Sequence, residues 1–336
     1  MVEWGMLLAP MLAAAMAAGP VCRIDDKRTD ELSGLVATAD GYVVVNDGAD
    51  EASHRKIFYL RKDCSVRRTV SFPSRPRDTE DLQLGPDGTL WVADIGDNGS
   101  KRETIGLWKV APGSSKPRLY RMAYPDGAHD AEALLIAPDG TPIVVTKSPG
   151  AAGLYTPDGA LKSGATTPLK KAGDVSVPIT TTANPYGFAG RLLVTGAASS
   201  PDGSRVVLRT YADAFEYDVT GGKVVEALVS GTPRTIPLPD EPQGESVAYT
   251  TDGTALLTVS EGSEPSLISY PLPSPPEPAP SPSPSRTQPV LAQKATVDES
   301  SRLPLVLFLL AGTGLVLAAA VALVRRRRPG SGRTGE

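Results

Sequence analysis

"TEDLQLGPDGTLWVADIGDN", residues 79–98, joins one short apolar run to another through Pro-Asp-Gly and ends in acidic and amide side chains. Asp-Gly tolerates the positive φ of a tight hairpin, so the stretch reads as two antiparallel strands and their turn. The pattern returns as "LSGLVATADGYVVVNDGAD" from Leu32, "AEALLIAPDGTPIVVTKSPG" from Ala131, "VTGAASSPDGSRVVLRTYAD" from Val194 and "GESVAYTTDGTALLTVSEGS" from Gly244. Its turn glycines, Gly41, Gly88, Gly140, Gly203 and Gly253, are spaced by 47, 52, 63 and 50 residues. A period of that size belongs to propeller blades rather than to a helical solenoid.

Enough chain remains in each unit for two outer strands, such as "IGLWKVAPGSSKPRLYRMAY" from Ile105 and "AFEYDV" from Ala214. The expected fold class is therefore all-β, a β-propeller of four-stranded blades closed radially so that no sheet edge is left open. Closure brings the N-terminal strand beside the last blade. The 63-residue interval has room for a degenerate blade around 174–190, so six blades are favoured, with five as the alternative.

The phrases "SPDGSRVVLRTYADAFEYDV", "DIGDN" and "YPDGAHDAEAL" carry a resemblance to exported, membrane-anchored six-bladed β-propeller proteins of actinobacteria, loosely TolB-like and NHL-like. It covers roughly Cys22 to Pro271. The resemblance implies the fold far more than an activity. Ser33 and Thr195 depart from a uniform pattern, since the other repeats carry Glu at that position.

The chain ends read differently from the repeats. Residues 1–18 hold the apolar run "WGMLLAPMLAAAMAA" with a small-x-small site at Ala15 to Ala17, as in a secretory signal. Residues 272–302 follow as a proline- and serine-rich linker; proline disfavours sheet and helix pairing and extends the chain as a stalk. Residues 303–324 are uncharged and long enough for a helix crossing ~30 Å of hydrocarbon. The basic tail 325–336 begins with four arginines, which by the positive-inside tendency place the C-terminus in the cytoplasm and the propeller outside. Such a cell-membrane protein is exported, so its two cysteines, Cys22 and Cys64, are expected to form a disulfide. The formal net charge is −4 even with the terminal arginines counted, which argues against a nucleic-acid partner and leaves cations or neutral ligands.

Aligning the repeats puts Ser33, Glu80, Glu132, Thr195 and Glu245 at one position, the start of each presumed innermost strand, preceded two residues earlier by Glu31, Asp78, Asp130 and Gln243. Carboxylates converging on an axis repel one another unless a cation or protons compensate. Glu80, Glu132 and Glu245 are therefore the candidate metal ligands, and an all-oxygen set without a Cys/His cluster suits Ca²⁺. Solvated rim residues paired with arginine or backbone amides are the plainer reading of the same three. A second position, six residues after each turn glycine, reads Asp47, Asp94, Thr146, Arg209 and Val259. From this rim and its continuation, Asp47, Lys147, Arg209, Tyr211 and Glu261 are the ligand-binding candidates, Lys147, Arg209 and Tyr211 as the basic and phenolic groups. Asp94 and His129 are the catalytic candidates for proton transfer; His129 lies three residues before Glu132. Local turn capping is the competing role for Asp97 and Asn98, and loop capping for His129.

No Gly-x-Ser-x-Gly elbow, His-Glu-x-x-His helix or phosphate-binding loop occurs. Two functions remain. One is a cell-surface binding or scaffold module whose face meets an envelope protein, a glycan or a small molecule. The other is a calcium-dependent extracellular hydrolase acting on a lactone or phosphoester, in which the glutamates hold the ion and Asp94 or His129 moves the proton.

Overall fold

The structure, a computed structural model, describes residues 17–239 and 241–273. The expected span at 303–324, its basic tail, the linker beyond residue 273 and all but the last two residues of the expected signal lie outside the described residues. Among the described residues no helix is long and apolar enough to cross a membrane.

Each hairpin repeat opens a four-stranded antiparallel sheet. Blade 1 is β2 (Leu32–Thr38), β3 (Gly41–Asn46), β4 (Lys56–Arg61) and β5 (Val66–Ser71). Blade 2 is β6 (Thr79–Leu84), β7 (Leu90–Asp94), β8 (Ile105–Val110) and β9 (Arg118–Ala123), and blade 3 is β10 (Ala131–Ile136), β11 (Pro142–Thr146), β12 (Ala152–Pro157) and β13 (Thr166–Val175). Blade 4 is β14 (Val194–Ser199), β15 (Arg205–Thr210), β16 (Asp213–Asp218) and β17 (Arg234–Pro237). Blade 5 takes β18 (Gly244–Tyr249), β19 (Ala255–Ser260) and β20 (Ser266–Pro271) from one end of the chain and β1 (Gly19–Arg23) from the other.

The first strands touch in the closed cycle β2, β6, β10, β14, β18 and back to β2. The described residues thus form a β-propeller of five blades, and the expectation of six is corrected. Five buried apolar clusters match the five gaps between neighbouring blades, from Leu35 and Val44 against Leu257 and Val259 at the closure to Val207 against Val247 between blades 4 and 5. Apolar burial of roughly 1.5–3 kcal/mol for each large side chain sets the blades face to face.

The wide repeat interval is explained without a sixth sheet. The strand β13 runs ten residues and pairs in parallel with β9 through Thr166–Pro168, which joins the outer edges of blades 2 and 3. After it, "SVPITTTANPY" offers two prolines and no alternating apolar face, so the chain crosses as a loop to the short α1 (Gly187–Gly190). The hydroxyls of Thr180 and Thr182 donate to Asp213 at 2.5 and 2.7 Å and pin that loop to blade 4. A helix, α2 (Val224–Ser230), interrupts the β16 to β17 connection and buries Val224 and Leu228 between blades 3 and 4.

Closure is held twice. The strand β1 pairs antiparallel with β20, and the Cys22–Cys64 disulfide ties that strand to the β4–β5 turn of blade 1. Cys64 itself sits at φ 66°, a left-handed conformation that a non-glycine residue adopts at a cost.

Candidate functional site

In every blade the pairing of the first two strands slips at the same place. Leu32 faces Asn46 but Gly34 faces Val45; Thr79 faces Asp94 but Asp81 faces Ala93; the same break separates Ala131 from Ala133, Val194 from Gly196 and Gly244 from Ser246. The residue skipped each time is Ser33, Glu80, Glu132, Thr195 or Glu245. A bulge leaves its extra residue outside the ladder and re-aims its side chain. The aligned position read from the sequence is therefore a fivefold bulge at one end of the innermost strands.

The five side chains take two roles. Ser33 Oγ donates to the Glu80 carbonyl at 2.5 Å and Thr195 Oγ1 donates to the Gly244 carbonyl at 3.1 Å, so each ties its strand to the next blade. The charges of Glu132 and Glu245 help to raise the pKa of Glu80, that of Glu245 helps to raise Glu132, and each of the three side chains is at most 3% exposed. Below them Asp81 accepts from the backbone N–H groups of Leu82 and Leu134, and Gln83 Nε2 donates across to the Ala197 carbonyl at 2.7 Å. These buried side chains tie blade 2 to blades 3 and 4 across the channel. At its far end the hairpins enclose an apolar cavity of about 490 Å³.

Around the glutamates stands a rim made by the residues that follow the second strands. Asp47, Lys147 and Glu261 donate their backbone N–H groups to the carbonyls of Glu31, Asp130 and Gln243, which fixes them at the mouth. Two carboxylate trios form there. Asp47, Asp78 and Glu80 bring one oxygen each within 4.8 Å of one another, and so do Asp47, Glu245 and Glu261. Asp47 belongs to both. The facing wall, from blades 3 and 4, carries the opposite chemistry: Lys147 Nζ lies 2.5 Å from Glu132 Oε1, and Tyr211 donates from its phenol to Glu245 Oε1 at 3.2 Å.

The electrostatics follow from burying so many acids with one ammonium. Burial first, then the charges of Glu132, Asp47, Asp78 and Glu245, holds Glu80 well above the usual carboxylate range. Burial and Asp47 push Asp78 up to about 7 although Arg102 pulls the other way. Burial and Glu245 push Glu261 up to about 9. Burial pushes Glu132 up to about 8 even against Lys147. Burial also opposes the charge on Lys147, but the Glu132 carboxylate outweighs it and raises the ammonium above its ordinary value. Protons held by carboxyl groups at neutral pH are what a divalent cation would displace.

Three buried oxygens, Glu80 Oε1, Glu132 Oε2 and Glu245 Oε2, have no hydrogen-bond partner. An unsatisfied carboxylate oxygen in the interior is costly, and a cation is the partner that several such oxygens can share. The loop backbone is cut to fit them. At Gly96 a Cβ would collide with Glu80 Oε1 and Asp78, and at Gly48 with Asp78 Oδ1, so both acids depend on bare backbone beside them. The donors are all hard oxygens and suit calcium.

Not every residue expected at the site reaches it. Asp94, a catalytic candidate, accepts from the backbone N–H groups of Arg77 and Asp78 at 3.1 Å, from Arg102 at 2.9 Å and from the Trp108 indole at 3.3 Å; it builds the loop that places Asp78. His129, the other, lies 2.9 Å from Asp126 and 3.1 Å from the Tyr155 hydroxyl, in a ring cluster with Tyr124. Arg209, a ligand-binding candidate, is fully buried, 2.9 Å from Glu241, and donates to the Ser246 and Thr210 carbonyls. Glu132 is held by Lys147 and belongs to neither trio; of the expected metal ligands Glu80, Glu132 and Glu245, the clusters that could hold an ion include Glu80 and Glu245, together with Asp47, Asp78 and Glu261. Asp97 caps its own loop through the backbone N–H groups of Lys101 and Arg102, both at 2.7 Å.

Tyr186 is a rim residue that the repeats do not reveal, because it stands in the long loop between blades 3 and 4. Its phenol donates to Gln243 Oε1 at 2.6 Å and its ring lies 4.3 Å from that of Tyr211. It is 43% exposed, and Phe188 on the adjacent α1 is 59% exposed.

No protein-family model matches the chain. Nor does any curated protein match it in sequence. Solved structures similar to it include a streptogramin B lyase (10% identity, TM-score 0.40, 75% of this chain and 97% of that one) and a glucose dehydrogenase (9% identity, TM-score 0.42, 77% and 100%). A soluble aldose sugar dehydrogenase from Escherichia coli is similar at 11% identity and a TM-score of 0.38, covering 75% of this chain and 98% of that one. Likenesses this weak carry no argument, and the fold rests on the strand pairing itself.

Proposed function

We propose that this chain is a calcium-dependent binding propeller at the cell surface, and that its ligand is a glycan met at the acidic mouth. The carrying observation is the pair of buried, unpartnered oxygens Glu80 Oε1 and Glu245 Oε2 set among further carboxylates. Calcium takes 6–8 oxygens, more than one trio supplies, so neighbouring hydroxyls of a sugar could complete its shell. Tyr186 and Phe188 beside the mouth offer aromatic faces on which a sugar ring can lie. The surface location rests on the sequence alone: an apolar leader, a proline-rich stalk and an apolar run closed by four arginines.

The test is binding of soluble oligosaccharides to the chelator-stripped full-length protein, with and without calcium. Saturable binding that needs calcium and is lost in Tyr186→Ala supports the reading. Calcium-independent binding, or no calcium uptake at all, refutes it.

A second reading, hydrolysis of a lactone or phosphoester, draws on Lys147 and Tyr211 facing the acids, where they could stabilise a developing oxyanion beside a bound ion. Turnover on a panel of both substrate classes, abolished by Lys147→Met, would favour it over simple binding.

A further inference from the structure

The geometry points to two divalent cations at the mouth, bridged by Asp47, rather than one ion centred on three glutamates. This inference rests on the calcium reading above and sharpens it.

The two trios share a single residue. Asp78 and Glu80 of blade 2 lie on one side of Asp47, and Glu245 and Glu261 of blade 5 on the other. Blade 1 stands between them and contributes only Ser33 at its bulge, a hydroxyl already committed to the Glu80 backbone. The carboxylate that blade 1 brings is therefore Asp47, from the rim, within reach of both neighbours.

Each trio has its own deeply buried acid with an oxygen left over. Glu80 is 1% exposed and its Oε1 has no partner; Glu245 is 3% exposed, its Oε1 takes the Tyr211 phenol, and its Oε2 has no partner. One ion in either trio would satisfy one of these oxygens and leave the other. Glu132, the third glutamate with an orphan oxygen, has the Lys147 ammonium on its other oxygen and lies in neither trio.

Charge counting agrees. Asp47, Asp78, Glu80, Glu245 and Glu261 carry five negative charges when ionised, and Lys147 answers to Glu132. One dication leaves three charges uncompensated in a partly buried cluster; two leave one. A cavity of about 330 Å³, lined by Glu31, Asp47, Gly48, Asp50, Glu51 and Asp78 among others, opens beside the first trio and gives an ion an acidic route in.

Calcium titration of the stripped full-length protein by calorimetry distinguishes the outcomes. The expected result is two equivalents bound to wild type, one to Glu80→Gln, one to Glu245→Gln and none to the double variant, with Asp47→Asn weakening both sites tenfold or more. Manganese supplies a test that needs no variant: at two equivalents the paramagnetic resonance spectrum of bound Mn²⁺ should show coupling between two ions, absent at half an equivalent. One equivalent in wild type with an uncoupled spectrum overturns the paired site and leaves the calcium-binding function standing. No bound cation at all overturns both. Circular dichroism of each variant checks that it has folded, and a variant that fails that check is set aside in favour of the manganese result.

Discussion

Raising the pH should loosen this protein, and calcium should remove part of the effect. Glu132, although coupled to Lys147 and Glu245, sets the scale. Its carboxyl is pushed from the ordinary 4.5 up to about 8 in the folded chain. Because the folded value is raised, the folded state keeps a proton that the unfolded state releases. The associated stability is fully present below pH 4.5 and is lost as the pH climbs through about 8. Between pH 5 and 8 the difference for this one group comes to about 3 kcal/mol, at ~1.4 kcal/mol for each unit of separation. Asp78 and Glu261, raised to about 7 and about 9, act in the same direction, although coupling among them keeps their effects from adding in full.

Thermal unfolding of the calcium-free protein across pH 5 to 8 is the assay. About 3 kcal/mol in a propeller of this size corresponds to a fall in Tm of roughly 6–12 °C. With saturating calcium the fall should shrink by the share that Asp78 and Glu261 contribute, since the cation replaces their protons, while the Glu132 share remains because Glu132 lies in neither trio, and calorimetry in buffers of different ionisation enthalpy should register proton release on binding. In Glu132→Gln the calcium-free slope should be visibly shallower. A Tm that stays level from pH 5 to 8 without calcium, or falls equally with it, would refute the electrostatic account of the mouth.

Three further outcomes follow from particular contacts. Replacing both Cys22 and Cys64 with serine removes a crosslink spanning 42 residues and should cost about 2–4 kcal/mol, read by urea denaturation, because β1, paired with β20 of the last blade, is then no longer tied covalently to blade 1. Arg209→Ala strands Glu241 in the interior and should cost about 3–5 kcal/mol while leaving calcium affinity in the folded protein unchanged; a selective loss of affinity would return Arg209 to the site. Gly96→Ala places a methyl against Glu80 and Asp78 and should weaken calcium binding by roughly tenfold, about 1.4 kcal/mol, with the fold intact by circular dichroism.

The hairpins were legible because Asp-Gly turns and apolar runs are local signals, and their recurrence carried the architecture. Blade number was not, since residues 174–190 have the length of a blade's worth of loop but lack the alternation that pairs strands. Counting from the turn glycines put Arg209 and Val259 on the rim. Strand pairing instead sets Thr210 and Ser260 opposite the bulge, followed by Tyr211 and Glu261. The offset arises because hairpin lengths differ: Thr38 pairs directly with Gly41 in blade 1, whereas Leu84 pairs with Leu90 in blade 2. The bulges themselves leave no separate mark in composition, although the aligned Ser, Thr and Glu residues stand on them. Asp78 was visible two residues before Glu80, yet only the Asp94 hydrogen bonds to the Arg77 and Asp78 backbone explain why it turns toward the mouth.

Five equivalent backbone positions have been given unequal chemistry, and that inequality sets how a ligand would meet the mouth. Blades 5, 1 and 2 supply Glu245, Glu261, Asp47, Asp78 and Glu80, while blades 3 and 4 supply Lys147 and Tyr211. A cation bound by the acids therefore stands off the propeller axis, toward blade 1, and leaves the opposite half of the mouth to an ammonium, a phenol and the exposed ring of Tyr186. A ligand bridging the halves must offer oxygen lone pairs to the ion and, across the channel, an acceptor for Lys147 or a flat face for Tyr186. A symmetric ring of glutamates would have selected only the ion; the divided ring also orients what the ion holds.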